Sequence, residues 1–172
     1  MYFPLFVNLD ARPCLVVGAG SVASRKAAQL AAFGADVRTV SPETSGRGFT
    51  ESDCDGVALA VAATDDASVN ARVAAACRAR GIPVNVVDDP ANCTFVFPAI
   101  FAKDPVVVAV STGGASPVAA RVIRDRAAKA IPDALVAKVA ALGARRDEMK
   151  RELPDARERM RHYEKELEEW KD

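Results

Sequence analysis

The feature that most constrains the fold is a glycine turn between an apolar strand and a helix, in the stretch VVGAGSVASRKAAQL (16–30). The pattern predicts a helix over 22–33, directly after the turn. Gly18 permits a tight turn, and Gly20 lets a pyrophosphate approach the backbone at the positive N-terminus of the helix. The third glycine of the pattern is replaced by Ala23, at a position that governs only helix–strand packing. The stretch therefore predicts a β-α-β unit that binds a dinucleotide.

Strands and helices alternate through the first half of the chain. Apolar runs predict strands at 3–8, 14–17 and 36–40, within GVALAVAATDD (56–66) and in IPVNVVDD (82–89). A second helix is predicted over 66–81, and Gly34 is the expected cap at the end of the first. Apolar strands that alternate with helices indicate a Rossmann-like, doubly wound parallel sheet.

One connection in this series is short. Segment 44–55 leaves no room for a complete strand and helix. Either this chain has lost a strand–helix unit, or the numbering closes over residues that are absent from the coordinates.

The second half has a different character. CTFVFPAI and PVVVAVST (105–112) are predicted strands joined by FAKD, a link that permits only antiparallel pairing. A helix then begins with Ser116 as N-cap and Pro117 in its first position. From Pro132 onward the sequence is helical and highly charged. It carries an apolar stripe with 4-3-4-3 spacing that is expected to pack on a partner subunit: Ala156, Met160, Tyr163, Leu167 and Trp170. We predict a nucleotide-binding domain (1–89), a central dimerising segment (90–127) and a helical domain (128–172).

Composition excludes several classes of function. Acidic and basic residues balance at 23 each, which argues against a nucleic-acid-binding protein that relies on positive charge. No apolar run is long enough to cross a membrane, and the N-terminus lacks the features of a signal peptide, so the expected location is cytoplasmic. The four cysteines contain no CxxC pair and His162 is the only histidine, so we expect reduced thiols and no metal site.

The residues expected to contact the dinucleotide lie in the glycine turn and after the next two strands. They are Gly18, Gly20, Ser21, Val22, Pro42, Glu43, Thr64 and Asp65. Glu43 can accept hydrogen bonds from the ribose hydroxyls, which favours NAD, whereas Arg38 and Arg47 could hold the 2′-phosphate of NADP. The aspartates at 65 and 66 could equally cap the next helix.

Other polar residues are candidates for the chemistry. Asp88 ends a strand near the expected nicotinamide and suits general acid–base work, although an isolated aspartate is often only a turn residue. The residues expected to bind an anionic substrate are Asn85, Thr112, Gly113, Gly114, Ser116, Arg121 and Arg124. A capped helix with solvated arginines would show the same pattern.

Together these residues closely resemble the precorrin-2 dehydrogenase family, the dehydrogenase/chelatase module of siroheme synthases. The matching segments are PLFVNLDARPCLVVGAGSVASRKAAQL, AVAATDDASVN, VNVVDDPANCTFVFPAI, VAVSTGGASPVAARVIRD and the tail ELPDARERMRHYEKEL. The resemblance covers nearly the whole chain except 44–52. Its VAxRK and STGGxSPxxAR elements are far more specific than the glycine turn alone.

The resemblance implies oxidation of precorrin-2, a polycarboxylate tetrapyrrole, to sirohydrochlorin with NAD, in siroheme biosynthesis. It implies that Asp88 is the essential aspartate, that Thr112 stands where the family has serine, and that the protein is a homodimer. Some members then insert Fe²⁺, and the sequence leaves open whether this chain does. The sequence contains no methyltransferase domain, so we expect the stand-alone form of the family. A sensing module without chemistry, and a chelatase that needs no NAD, are the competing hypotheses.

Overall fold

A computed structural model describes residues 2–170, and the chain divides after Phe97 into two compact units. The first unit contains a four-stranded, wholly parallel sheet. Its elements are β1 (Pro13–Val17), α1 (Ser21–Ala31), β2 (Asp36–Val40), α2 (Pro42–Ser45), a 3₁₀ turn (Glu51–Cys54), β3 (Leu59–Ala62), α3 (Ala67–Ala79), β4 (Val84–Val86) and a 3₁₀ turn (Pro90–Asn92).

The strand order β2-β1-β3-β4 places the strand ends in one row. Val17 pairs with Val40 on one side and with Ala62 on the other, and Ala62 pairs with Val86. The carboxyl ends of all four strands therefore meet at one edge, where parallel α/β sheets bind their ligands.

Helices cover both faces of this sheet, as the doubly wound prediction requires. Side chains alternate along a strand, so Cys14 and Val16 pack with Leu30 of α1 on one face. Leu15 and Val17 lie on the other face, in a core that includes α3 residues. The Rossmann-like fold class predicted from the sequence is confirmed.

Residues 3–8 form no strand, so that prediction is wrong. Phe3, Leu5 and Phe6 are 86%, 74% and 70% exposed, without the alternation that a half-buried strand would show. The run cannot pair with β1, the strand that follows it, because β1 already pairs on both edges with β2 and β3.

The first helix ends at Ala31, two residues earlier than predicted. Its last turn tightens, because Phe33 and Gly34 donate to Leu30 and Ala31 through i to i+3 hydrogen bonds of 3.0 Å. Gly34 follows at φ +81°, and a Cβ there would lie 2.7 Å from an oxygen of Asp10. The positive φ favours glycine at this position, but the C-cap of the helix is Ala32 and not the predicted Gly34.

The connection from β2 to β3 is short in fact, and the explanation by absent residues is wrong. Residues 41–58 are described without interruption and contain only α2 and the 3₁₀ turn. Phe49, Cys54 and Val57 from this connection are buried in the core on the α3 face. The short connection thus contributes three buried apolar side chains to the core on the α3 face of the sheet.

The second unit begins with an antiparallel pair of strands. β5 (Ala99–Lys103) and β6 (Val106–Val110) pair from Ala99 with Val110 to Lys103 with Val106, as the short link predicted. The first of these strands starts later than expected, because Thr94 is held at β4 instead. Its N–H donates to the Val84 oxygen and its hydroxyl accepts from the Val84 N–H, each at 2.8 Å.

Helices form the rest of the second unit. They are α4 (Pro117–Lys129), α5 (Asp133–Ala144), α6 (Arg146–Glu152) and α7 (Ala156–Glu166), followed by a 3₁₀ turn (Glu168–Trp170). The predicted stripe spans α7 and this turn, with Ala156 and Met160 exposed and Tyr163, Leu167 and Trp170 half-buried. The predicted boundary at 127/128 falls inside this unit, so the three-part division stays a prediction.

Candidate dinucleotide-binding site

The turn after β1 packs directly against the end of β3. Gly18 has φ +126°, and its N–H donates to the Val40 oxygen at 2.9 Å. A Cβ at this residue would lie 2.3 Å from the carbonyl oxygen of Ala63. Only glycine fits here, and it brings the turn into the row of strand ends.

Gly20 differs, because its own chain does not require a glycine. Its φ of −66° and ψ of 173° suit any residue, and a Cβ there would meet nothing within 4 Å. Within residues 2–170 no side chain caps α1, and its first turn has no acidic residue. The open space before the first N–H groups of α1, including those of Ser21 and Val22, is a cradle that fits an approaching phosphate.

A negative charge follows β2. The Ser41 hydroxyl accepts from the Thr44 N–H at 3.1 Å and caps α2, with Pro42 in the first helical position. Glu43 is exposed in that first turn. Its own N–H and the Ser41 hydroxyl donate to its carboxylate, which lowers the pKa of Glu43. A carboxylate is therefore available where a ribose would be recognised.

After β3, one aspartate caps the next helix and its neighbour stays exposed at the strand end. Asp66, rather than Asp65, caps α3 by accepting from Ser68 N–H at 2.7 Å. The Asn70 side chain accepts from Thr64 N–H at 3.1 Å and from its hydroxyl at 2.8 Å, and donates to its carbonyl at 2.9 Å. Thr64 is thus immobilised, while Asp65 stays exposed beside it.

Asn70 is the residue that sequence reasoning missed. It is 8% exposed in a helix whose other buried residues are small and apolar. The available signal was a single asparagine in the first turn of an alanine- and valine-rich helix. Its role depends on a contact with a loop that precedes the helix.

The side chain of Asn85 on β4 is also hydrogen-bonded within the chain. Its side chain donates to the Phe95 carbonyl at 3.1 Å and to Cys93 Sγ at 3.4 Å, and the residue is 9% exposed. These contacts hold the segment after β4 against the sheet. The predicted substrate contact of Asn85 stays a prediction.

Asp88 follows β4 with a strained backbone. Its φ is +58°, in the left-handed region that aspartate tolerates better than most residues, and it is exposed. Asp89, not Asp88, caps the 3₁₀ turn by accepting from Asn92 N–H at 3.2 Å. Strain of this kind persists at functional sites, so Asp88 is the best-placed candidate for chemistry at the edge.

The basic pair after the glycine turn contains one partly buried lysine. Lys26 Nζ lies 3.6 Å from the centroid of the Phe97 ring, a cation–π contact between α1 and the last residue of the first unit. Burial, followed by the charge of Arg25, lowers the pKa of Lys26 to about 8. The ring contact opposes both effects because it favours the charged form.

In the second unit, the loop between β6 and α4 holds itself together. The Thr112 hydroxyl donates to the Ser116 oxygen at 3.0 Å and accepts from Ser116 N–H at 3.1 Å, and Ser116 caps α4 through Ala119 N–H. Gly113 and Gly114 have φ of +64° and +90°, and both face open space. The hydroxyls thus shape the loop, and the glycines leave room for a ligand.

The two arginines predicted to bind an anion differ in freedom. Arg124 donates to Asp125 at 2.7 Å and to the Ile100 carbonyl at 3.4 Å. Arg121, one turn earlier on α4, is exposed and has no hydrogen bond or ion pair within residues 2–170. Arg121 is the better candidate for an anionic group.

Two further findings concern the described part of the chain. No three histidine, cysteine, aspartate or glutamate side chains among residues 2–170 are grouped as a metal ion would require. No helix in the same residues is long and apolar enough to cross a membrane.

The first unit has the geometry of a Rossmann-like nucleotide-binding domain. A glycine turn opens a helix at the carboxyl edge of a doubly wound parallel sheet, and the cradle at Gly20 fits a pyrophosphate. Comparison with known families agrees. The chain belongs to the family described as "Putative NAD(P)-binding", whose model matches residues 5–99.

Curated relatives extend the likeness beyond this family model. The chain is 47% identical to the siroheme synthase of Ectopseudomonas mendocina, over 92% of this chain and 37% of that protein. It is 43% identical to the siroheme synthase of Methylococcus capsulatus, over 97% of this chain and 38% of that protein. The chain thus spans little more than a third of the length of these relatives.

A solved structure shares the fold. The structure of SirC, precorrin-2 dehydrogenase, matches with a TM-score of 0.73 and 23% identity, over 93% of this chain and 86% of that one. The Methylococcus alignment runs over 182 positions, more than the 172 residues of this chain, so that relative contains residues without a counterpart here. The short connection after β2 is consistent with such a deletion.

Proposed function

We propose that this protein oxidises precorrin-2 to sirohydrochlorin with NAD, in siroheme biosynthesis. One observation carries the proposal: the open cradle at Gly20 and the strained Asp88 lie at the same carboxyl edge of one sheet. The siroheme synthase relatives and the fold of the precorrin-2 dehydrogenase structure support the choice of substrate.

The chain's residues suit the two halves of this oxidation. The substrate loses a hydride and a proton, and NAD, when bound, accepts the hydride. The glycine turn, Glu43 and the end of β3 would hold and orient the dinucleotide. The Asp88 carboxylate would take the proton from the substrate, with bulk water as the final acceptor.

The second unit supplies groups for a polyanionic substrate. We propose that Arg121 and the open loop at Gly113 and Gly114 bind its carboxylates, with Arg124 as a weaker contributor because Asp125 already neutralises it. A polycarboxylate tetrapyrrole offers several acidic groups, which suits such a dispersed set of donors.

The same carboxylate could serve a second step. Insertion of Fe²⁺ into sirohydrochlorin displaces two pyrrole N–H protons, and Asp88 would accept them in turn. We propose this only as a second activity on the product, with Fe²⁺ as a substrate. An assay of metal insertion without nucleotide separates it from the oxidation.

We also propose that the protein is a homodimer. The half-buried stripe residues and Met160, which is 60% exposed, form an apolar depression with Leu135 on the second unit. A second copy would cover it. Sedimentation of wild type should show a dimer and Met160→Glu a monomer, whereas a monomeric wild type would overturn this proposal.

The test of the main proposal uses purified protein, precorrin-2 and NAD, with NADH absorbance as the readout. Asp88→Asn should abolish turnover while NAD binding survives, because asparagine tolerates the positive φ and only the carboxylate is lost. Asp36→Asn, an exposed carboxylate at the amino end of β2, is the matched control and should keep wild-type turnover. Normal turnover by Asp88→Asn would overturn the catalytic assignment, and tight NAD binding without turnover by wild type would favour the sensing module.

A further inference from the structure

The segment after β2 carries both acidic and basic side chains, and the sign of the charge there affects the choice between NAD and NADP. In dinucleotide-binding folds an acidic residue here accepts from the ribose 2′-hydroxyl of NAD, and an arginine accommodates the 2′-phosphate of NADP. This chain has Glu43, Arg38 and Arg47 in or beside that segment. The sequence therefore leaves the preference between the two cofactors open.

Arg47 is not available as the structure stands. Its Nη1 and Nη2 donate to the two oxygens of Asp53 at 2.9 and 2.6 Å, the bidentate geometry of a strong arginine–carboxylate pair. Nη1 also donates to the Gly48 carbonyl at 3.1 Å. The guanidinium is therefore held by its own loop.

Asp53 is itself held in place to bind the Arg47 guanidinium. Its side chain is 9% exposed, and it also accepts from the Thr50 N–H at 2.8 Å and the Thr50 hydroxyl at 3.0 Å. The hydrogen bonds from Arg47, assisted by those from Thr50, hold the pKa of Asp53 far below its ordinary range. The carboxylate thus remains charged throughout the pH range of any binding assay, and the negative partner of Arg47 is not lost by protonation.

The other charges in the segment add to this arrangement. Arg38 donates to the Asp55 carbonyl at 3.2 Å, so it too has a partner within the chain. Glu43 remains exposed and carries its negative charge. A 2′-phosphate would meet a carboxylate there, whereas a 2′-hydroxyl could donate to it.

From this arrangement we propose that Asp53 is a positioning residue for cofactor choice: it withholds Arg47 and thereby makes the site select NAD over NADP. The inference rests on the proposed use of NAD and adds the residues that enforce it. Both residues of the pair lie in the short connection between β2 and β3, six residues apart.

The test measures calorimetric binding of NAD and of NADP to variants of this 172-residue chain. Wild type should prefer NAD, and Asp53→Asn should shift the affinity ratio toward NADP by about tenfold, the effect of one hydrogen bond to a charged group. Asparagine can still accept from Thr50 N–H through one oxygen, which is also the acceptor for Arg47 Nη1. The substitution therefore removes the bond from Arg47 Nη2 and the negative charge that holds the guanidinium. Adding Arg47→Ala to Asp53→Asn should remove the shift, because Arg47 is the group that was released.

A matched control separates cofactor choice from loop stability. Thr50→Val removes the hydrogen bonds of the Thr50 hydroxyl to Asp53 and Ser52 but leaves the Arg47 pair, so it should keep the wild-type ratio of affinities. If Asp53→Asn fails to fold, Asp53→Ser replaces it, since serine can accept from Thr50 N–H but cannot hold a guanidinium at both nitrogens.

Each outcome decides the proposal. An unchanged ratio in Asp53→Asn, a shift that survives Arg47→Ala, or an equal shift in Thr50→Val would overturn it. Failure of wild type to bind either dinucleotide would instead overturn the proposed function, because the cradle at Gly20 would then be wrong. Binding of NAD with an unmoved ratio would leave the proposed function standing and remove only this inference.

Discussion

Alanine substitutions at Gly18 and Gly20 are expected to fail in opposite ways, although the residues are two positions apart. In Gly18→Ala the new Cβ would lie 2.3 Å from the Ala63 oxygen and 2.8 Å from its carbonyl carbon. Both are backbone atoms at the end of a buried strand, so they cannot move aside as a flexible side chain would. The φ of +126° adds strain that an L-residue cannot relieve.

The cost of Gly18→Ala follows from these two effects. An unfavourable backbone conformation costs about 1–3 kcal/mol, and insertion of a methyl group into a packed region costs about 1–3 kcal/mol more. Against a typical domain stability of about 5–15 kcal/mol, a loss of about 2–6 kcal/mol is large. The urea slope of a small domain is about 1–3 kcal/mol per molar, so a loss in the middle of this range should lower the unfolding midpoint by about 2 M.

Gly20→Ala should leave the fold intact and damage the site. Its φ and ψ suit alanine and nothing lies within 4 Å of the new Cβ. Restricting the unfolded chain should even stabilise the protein by about 0.4–1 kcal/mol. NAD affinity should fall by about tenfold or more, because the methyl group occupies the space in which the pyrophosphate approaches the helix N-terminus.

Urea unfolding followed by circular dichroism, with calorimetric NAD titration of the same samples, checks both variants. A wild-type midpoint for Gly18→Ala would show that the close approach to Ala63 is wrong. Unchanged NAD affinity in Gly20→Ala would show that the cradle is not the pyrophosphate site.

Substitutions at three further residues test individual contacts. Wild type should gain stability relative to Lys26→Met as pH rises between about 8 and 10.5, because Lys26 still holds a proton in the unfolded chain that it has released in the folded one. Urea titrations at several pH values measure this, and a stability difference that does not change with pH would contradict the lowered pKa of Lys26. Asn70→Ala should lose about 2–3 kcal/mol of unfolding free energy, since three hydrogen bonds to Thr64 disappear. Asn70→Asp should lose at least as much, because a buried carboxylate oxygen would replace the amide N–H that faces the Thr64 carbonyl; wild-type stability in Asn70→Asp would refute that assignment. Thr112→Val should lower the thermal midpoint because both hydroxyl bonds to Ser116 are lost, whereas Thr112→Ser should match wild type; a stable valine variant would show that the loop does not depend on them.

Much of the local structure could be predicted because local signals produce it. β2 is found at the predicted residues 36–40, and Ser116 and Pro117 begin α4 as N-cap and first helical residue. The glycine turn also forms where the pattern placed it. Such features depend on hydrophobic period, cap chemistry and allowed φ, which adjacent residues determine.

The errors arose where the outcome depended on neighbours in space. Residues 3–8 have the composition of a strand, yet both edges of β1 are taken, so the strand next to them in sequence cannot pair with them. The predicted strand 93–100 starts only at Ala99, because Thr94 bonds to β4 across the chain. Sequence alone does not show which strand edges in a sheet are available for pairing.

By itself, the sequence determined the alternating apolar strands and helices, the glycine turn between β1 and α1, and the polar residues at the strand ends. Only the tertiary structure decided which of those polar residues are free. Asn70 immobilises Thr64, Asn85 holds the segment after β4, and Asp53 withholds Arg47, while Asp88 and Glu43 stay exposed. The physical reason is that a side chain's freedom depends on every donor and acceptor within about 3 Å of it, and folding brings those groups together from separate parts of the chain.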